Sequence, residues 1–144
     1  MTFSRMKRFF FVLAQLIWGL PQTLLGAILF LIHIRKPHRL YHGAVCTAWE
    51  RRGGLSLGLF LFAADDPGIT VHEYGHAVQS LIWGPLYLPV VGLPSLLWAN
   101  LPPCKRRRAK GRSYYSVWPE TQANHLGRRF TGELPPGWTG EKSH

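Results

Sequence analysis

From Phe9 to Ile34 the chain runs twenty-six residues without an Asp, Glu, Lys or Arg. At helical rise that is about 39 Å, enough to cross a hydrocarbon core of about 30 Å with tilt. The run is longer than the apolar core of a signal peptide and is followed by no convincing small-residue cleavage site, so it is expected to be retained. Pro21 and Gln22 sit near its middle, where a kink is predicted and a helical hairpin returning to the starting side is the alternative. Gly19 and Gly26 suit a close helix contact.

Composition bears on the surroundings of this run. The chain has 144 residues, one domain or one compact membrane unit, with 17 Lys plus Arg against 7 Asp plus Glu, while 47% of residues are hydrophobic. Long apolar blocks alternate with basic ones: Arg5, Lys7 and Arg8 before the first run, Arg35, Lys36 and Arg39 after it, and Lys105 to Arg112 later. That pattern points to anionic lipid headgroups as partners, with the basic run on the cytoplasmic side. Nucleic acid is the competing account of the charge. It is not expected, because no aromatic residues interleave the basic run. Cys46 and Cys104 form no disulfide framework or zinc-finger spacing and read as free thiols.

The middle of the chain carries shorter elements. Ala44–Trp49 and Leu55–Phe62, joined through Gly53-Gly54, read as a β-hairpin whose free edge suits an extended peptide. Asp66-Pro67 is a helix start, N-cap then proline, and predicts a helix to about Trp83 ended by Gly84-Pro85. Leu86 to Leu101 is apolar but interrupted by Pro89, Gly92 and Pro94, so it is expected to be a re-entrant or interfacial hairpin and not a clean span.

On the predicted helix lies Thr70-Val71-His72-Glu73-Tyr74-Gly75-His76. Residues four apart share a helix face, so His72 and His76 can ligate one metal ion with Glu73 beside the open coordination position. Zinc bound in this way acidifies water, and the carboxylate moves the proton. A capping box, Thr70 with Glu73, would instead tie the carboxylate to the backbone; a start at Asp66 frees it. Gly75 costs about 1 kcal/mol against alanine in a helix interior, which makes sense if another backbone must approach there.

A third ligand is sought further on. Pro119 to Gly127 reads as a short helix with Glu120, Ala123 and Asn124 on one face. His-Glu-x-x-His followed by Glu-x-x-Ala-Asn resembles the membrane zinc metallopeptidases of the prenyl-protein endoprotease and heat-shock protease kind, where Glu-x-x-Ala-Asp is usual. The stretch from Gly54 to Gly127 is similar also to small bacterial membrane proteins with His-Glu-Tyr-Gly-His and Gly-Pro-Leu-Tyr-Leu-Pro. The resemblance implies Glu120 as third ligand and Asn124 as the residue orienting a ligating His; Asn for Asp is a departure that weakens polarisation of the ligand. Tyr114 and Tyr115 are candidate oxyanion donors or headgroup anchors.

The resulting expectation is a membrane protein, mainly α with a small β-hairpin. Residues 1–42 form an N-terminal transmembrane helix or helical hairpin, 43–127 a zincin-like core with a re-entrant segment and a ligand helix, and 128–144 a disordered tail. The expected function is zinc-dependent hydrolysis of peptide bonds at the cytoplasmic face of a bacterial membrane, with Glu73 as base, His72, His76 and Glu120 as zinc ligands, and a protein or peptide as substrate. The alternative is a non-catalytic membrane scaffold or small subunit with a structural or vestigial zinc site.

Overall fold

The computed structural model of the chain describes residues 3–49, 54–63, 66–109 and 118–136. The long apolar run is two helices, α1 (Phe3–Ile17) and α2 (Leu20–Ile32), which meet at 96°. Among the described residues no single helix is long and apolar enough to cross a membrane, which overturns the expected transmembrane helix. The local cause is proline. Pro21 stands at the second position of α2, and its ring would clash with the carbonyl four residues back, that of Ile17, where α1 ends. The 96° bend also falls short of the alternative hairpin, which would bring α2 back along α1.

Four short strands follow: β1 (His38–Tyr41), β2 (Ala44–Ala48), β3 (Gly54–Leu57) and β4 (Phe60–Ala63), in the sheet order β1-β2-β4-β3. The expected hairpin between Ala44–Trp49 and Leu55–Phe62 does not form. The second run folds on itself at Gly58-Leu59, with Leu57 opposite Phe60 and Gly54 opposite Ala63, and β2 then pairs in parallel with β4, Val45 beside Phe60. Gly58 takes φ +63 with the Thr23 side chain of α2 against it, so the run reverses where α2 packs. An apolar run without alternation carries no register of its own, and tertiary packing chose it.

Helix α3 (Pro67–Trp83) is the centre of the molecule. Every residue from Thr70 to Ser80 is buried, with the sheet, α1 and α6 (Trp118–Thr131) packed around it. Its start is set as the residues imply: Asp66 accepts from the backbone N–H of Gly68 at 2.8 Å, and Thr70 lies inside the helix with its hydroxyl donating to the Asp66 carbonyl. Glu73 therefore has no capping task. Phe11, Tyr41, Ala44, Cys46, Leu61, Tyr74 and Ala77 make up the core between α1, the sheet and α3.

After α3 the proline-rich stretch is neither a span nor a hairpin. It is one winding helical path: a 3-10 turn (Gly84–Leu86), a π turn (Leu88–Gly92) and α4 (Leu93–Asn100), then α5 (Pro102–Ala109). Each proline opens a new helical segment where its missing N–H costs nothing, so the chain stays helical by changing type. The apolar part, Leu88–Asn100, is about 20 Å long, well short of a hydrocarbon core. The architecture is thus mostly helical around a small mixed four-stranded sheet. Helix α6 runs beyond Gly127 to Thr131, with Gly132 at φ +75 following.

Candidate metal centre

Two glycines bring the site together. A Cβ built on Gly75 of α3 would lie 1.7 Å from the Ala123 carbonyl oxygen, and one on Gly127 of α6 would lie 2.2 Å from that of Val71. The two helices therefore touch backbone to backbone, which only residues without a Cβ permit at these points. That contact sets Glu120, fully buried in the first turn of α6, opposite His72 and His76.

The geometry converges on one atom. Glu120 Oε2 lies 2.7 Å from His72 Nε2 and 3.1 Å from His76 Nε2. The far side of each imidazole is held as well: His72 Nδ1 donates to Asn124 Oδ1 at 2.6 Å, and His76 Nδ1 donates to Gln79 Oε1 at 2.6 Å. Gln79 is oriented in turn, since its amide nitrogen donates to the Pro119 carbonyl and to Gln122 Oε1, both at 2.9 Å. Ser95 Oγ donates to the other oxygen of Glu120.

These partners assign the tautomers. Amide oxygens only accept, so each Nδ1 carries the ring proton and each Nε2 presents a lone pair towards a carboxylate oxygen. Three lone pairs facing one another in a buried site repel. Without a cation the two contacts are satisfied only if both rings take up a proton on Nε2; a cation among the three satisfies all with the rings neutral. The buried cluster of His72, His76 and Glu120, with ligand atoms all within 4.8 Å of one another, could hold a metal ion. Two imidazole nitrogens and one carboxylate oxygen form a donor set that zinc accepts.

Burial shapes the charges nearby. Burial pushes the Glu120 carboxyl up, but the positive charge that His76 and His72 carry when Nε2 is protonated, with the hydrogen bonds they then donate, outweighs that effect and holds it well below the usual carboxylate range. For Glu73 burial wins: it raises the carboxyl to about 8, with His72 opposing and the Glu120 charge adding to the rise. The Glu73 stem lies against the first residue of β3, for a Cβ on Gly54 would meet its Cγ at 2.7 Å.

His72, Glu73 and His76 line a cleft of about 1210 Å³. The cleft is lined also by β3 and the proline-rich path, including Tyr87, Leu93 and Ser95. Strand β3 is the last strand of the sheet on that side. Tyr87, buried in this lining, donates its hydroxyl to the Ser56 carbonyl at 3.2 Å.

Four residues singled out in the sequence, His72, His76, Glu120 and Asn124, meet in space, with Glu73 on the cleft side. Tyr114 and Tyr115 lie outside the described residues. His125 is exposed, and Asp66 caps α3. Gln79 and Ser95 went unrecognised. Gln79 sits three residues after His76, a spacing that places both on one helix face and was readable; Ser95, in an irregular helical path, left no local signal. Compared with known protein families, curated proteins and solved structures, the chain matches none.

Proposed function

We propose that this chain is a zinc-dependent metallopeptidase that holds an extended peptide in the cleft beside α3. The observation that carries the reading is the convergence of His72, His76 and Glu120 at the wall of an open cleft, with a second carboxylate, Glu73, on the same wall. His72, His76 and Glu120 would hold the ion. Bound zinc supplies Lewis acidity, which acidifies water and polarises a carbonyl group.

The other tasks fall to this chain's residues. Glu73 takes the proton of the attacking water on a carboxylate oxygen and returns it to the leaving amine nitrogen. Burial disfavours its charge and zinc held by His72, His76 and Glu120 would favour it, which would keep its proton affinity where both transfers are practicable. Asn124 and Gln79 fix the ring planes of His72 and His76. The outer edge of β3, from Gly54 to Leu57, lines the cleft and suits main-chain pairing with a substrate strand that passes Glu73. The likeness of the two motifs to membrane zinc peptidases supports the same assignment. In the competing reading, favoured by the uncharged Asn124 behind His72, the ion only joins α3 to α6.

Metal analysis and a peptide-hydrolysis assay separate these. The wild type is expected to hold one zinc per chain, His72→Ala/His76→Ala to lose it, and Glu73→Gln to keep it while losing turnover by about a hundredfold or more. Equal sub-stoichiometric zinc in the wild type and the double variant would overturn the site. Turnover undiminished in Glu73→Gln would remove the base.

A further inference from the structure

The α1–α2 pair is built inside out. Its polar side chains point inward: Gln15 and Gln22 are fully buried and Thr23 nearly so. Gln15 donates to the Ala77 carbonyl at 2.8 Å, Gln22 donates to Ser80 Oγ at 2.6 Å and to the Gly84 carbonyl at 3.0 Å, and Ser80 Oγ donates to Gln15 Oε1 at 3.0 Å. Thr23 Oγ1 closes the elbow on the Gln15 carbonyl at 3.0 Å. Most of the apolar side chains, Phe11 excepted, point outward, with Ile17 68%, Leu31 66% and Ile32 70% exposed. On α2, Leu24, Ile28 and Leu31 share the face opposite Gly26, which packs on Leu57.

A helix pair that hides its amides and displays its aliphatic groups is ordered for a non-aqueous neighbour. Charge then distinguishes between neighbours. Residues 1–49 contain six Lys and Arg and no Asp or Glu. The cations stand at the two outer ends of the pair, with Arg8 near the start of α1 and Arg35 and Arg39 after α2, all exposed. A second copy seated on this face would bring like charges together. An anionic lipid surface offers hydrocarbon for the aliphatic face and phosphates for its ends.

We propose that the outer surface of α1 and α2 seats in one leaflet of an anionic bilayer, anchored by the flanking basic residues. At about 22 and 20 Å, neither helix reaches across a hydrocarbon core, and the 96° elbow suits a partly sunken pair, not a span. Seating does not depend on the metal.

The test uses the full chain, purified in detergent, diluted into vesicles of phosphatidylcholine with or without phosphatidylglycerol, in the presence of a chelator. Sedimentation with the anionic vesicles is expected, together with quenching of Trp18 by lipids brominated in the acyl chain, the Trp18 component being read against Trp18→Phe. Leu24→Glu/Ile28→Glu/Leu31→Glu changes exposed positions, so circular dichroism is expected to stay native while vesicle binding falls about tenfold or more. Arg8→Gln/Arg35→Gln should weaken binding to the anionic vesicles only. The proposal is overturned if the wild type stays in the supernatant, if it binds neutral vesicles as tightly as anionic ones, or if it forms a stable dimer that the triple variant dissociates.

Discussion

Gly75→Ala opposes two rules of helix chemistry, and their magnitudes decide between them. In an isolated helix the change is favourable by about 1 kcal/mol, because alanine has less backbone entropy to lose. Here the new Cβ would stand 1.7 Å from the Ala123 carbonyl oxygen, which is backbone and cannot rotate away. Reaching the 3.0 Å at which such contacts begin to occur requires a retreat of about 1.3 Å by α6. Overpacking of this kind costs about 1–3 kcal/mol, so the propensity gain is cancelled or exceeded. The larger effect falls on the proposed zinc site. Ligand distances in zinc sites vary by about 0.2 Å, and Glu120 rides on the helix that must move. Gly75→Ala should therefore remain folded, with thermal stability equal to or below that of the wild type, and lose zinc affinity by about a hundredfold or more. Titration with zinc against a chromophoric chelator reads the affinity, and thermal melts followed by circular dichroism read the stability. A variant that binds zinc as the wild type does and melts higher would refute the backbone contact between α3 and α6.

Other expectations follow from the same contacts. Asn124→Ala removes the acceptor behind His72 and should weaken zinc binding by about 10- to 100-fold, whereas Asn124→Asp adds a charge there and should tighten it; chelator competition measures both. Gln15→Ala deprives the Ala77 carbonyl and Ser80 of their buried partner, and denaturant melts should show a loss of about 2 kcal/mol. Burial raises the Cys46 thiol and the Tyr41 and Tyr87 phenols above their ordinary values of 9.0 and 10.0. Each raised group keeps its proton longer in the folded chain, so its contribution is complete below the ordinary value and is lost as pH rises past it. Thermal midpoints should accordingly fall from pH 9 upward, and Cys46 should react with iodoacetamide far faster once the chain is unfolded.

The parts of this protein that were legible in its sequence are those governed by neighbours along the chain. Asp66-Pro67 starts α3 because a carboxylate and a fixed φ act on the next three residues, and Gly84 ends it for a similarly local reason. The four-residue spacing of His72 and His76 follows from helical pitch alone. Glu120 was reached through a resemblance, because Glu-x-x-Ala-Asn after His-Glu-x-x-His is similar to the pattern of membrane zinc metallopeptidases, and Gly75 hinted at a backbone contact it could not name.

Other features belong to the fold as a whole. The apolar run from Phe9 to Ile34 has the length of a span, yet it breaks at Pro21, and Gln15 and Gln22 hold the bent pair against α3 through hydrogen-bond partners, Ala77, Ser80 and Gly84, that lie about sixty residues away. The pairing of β2 with β4 and the hydroxyl of Ser95 on Glu120 have the same character. Local order along the chain determined where helices begin, where they end and which side chains share a face. Which face turns inward, and which carboxylate meets which imidazole, was decided only when distant segments packed, since buried polar groups take whatever partner the packing brings within reach.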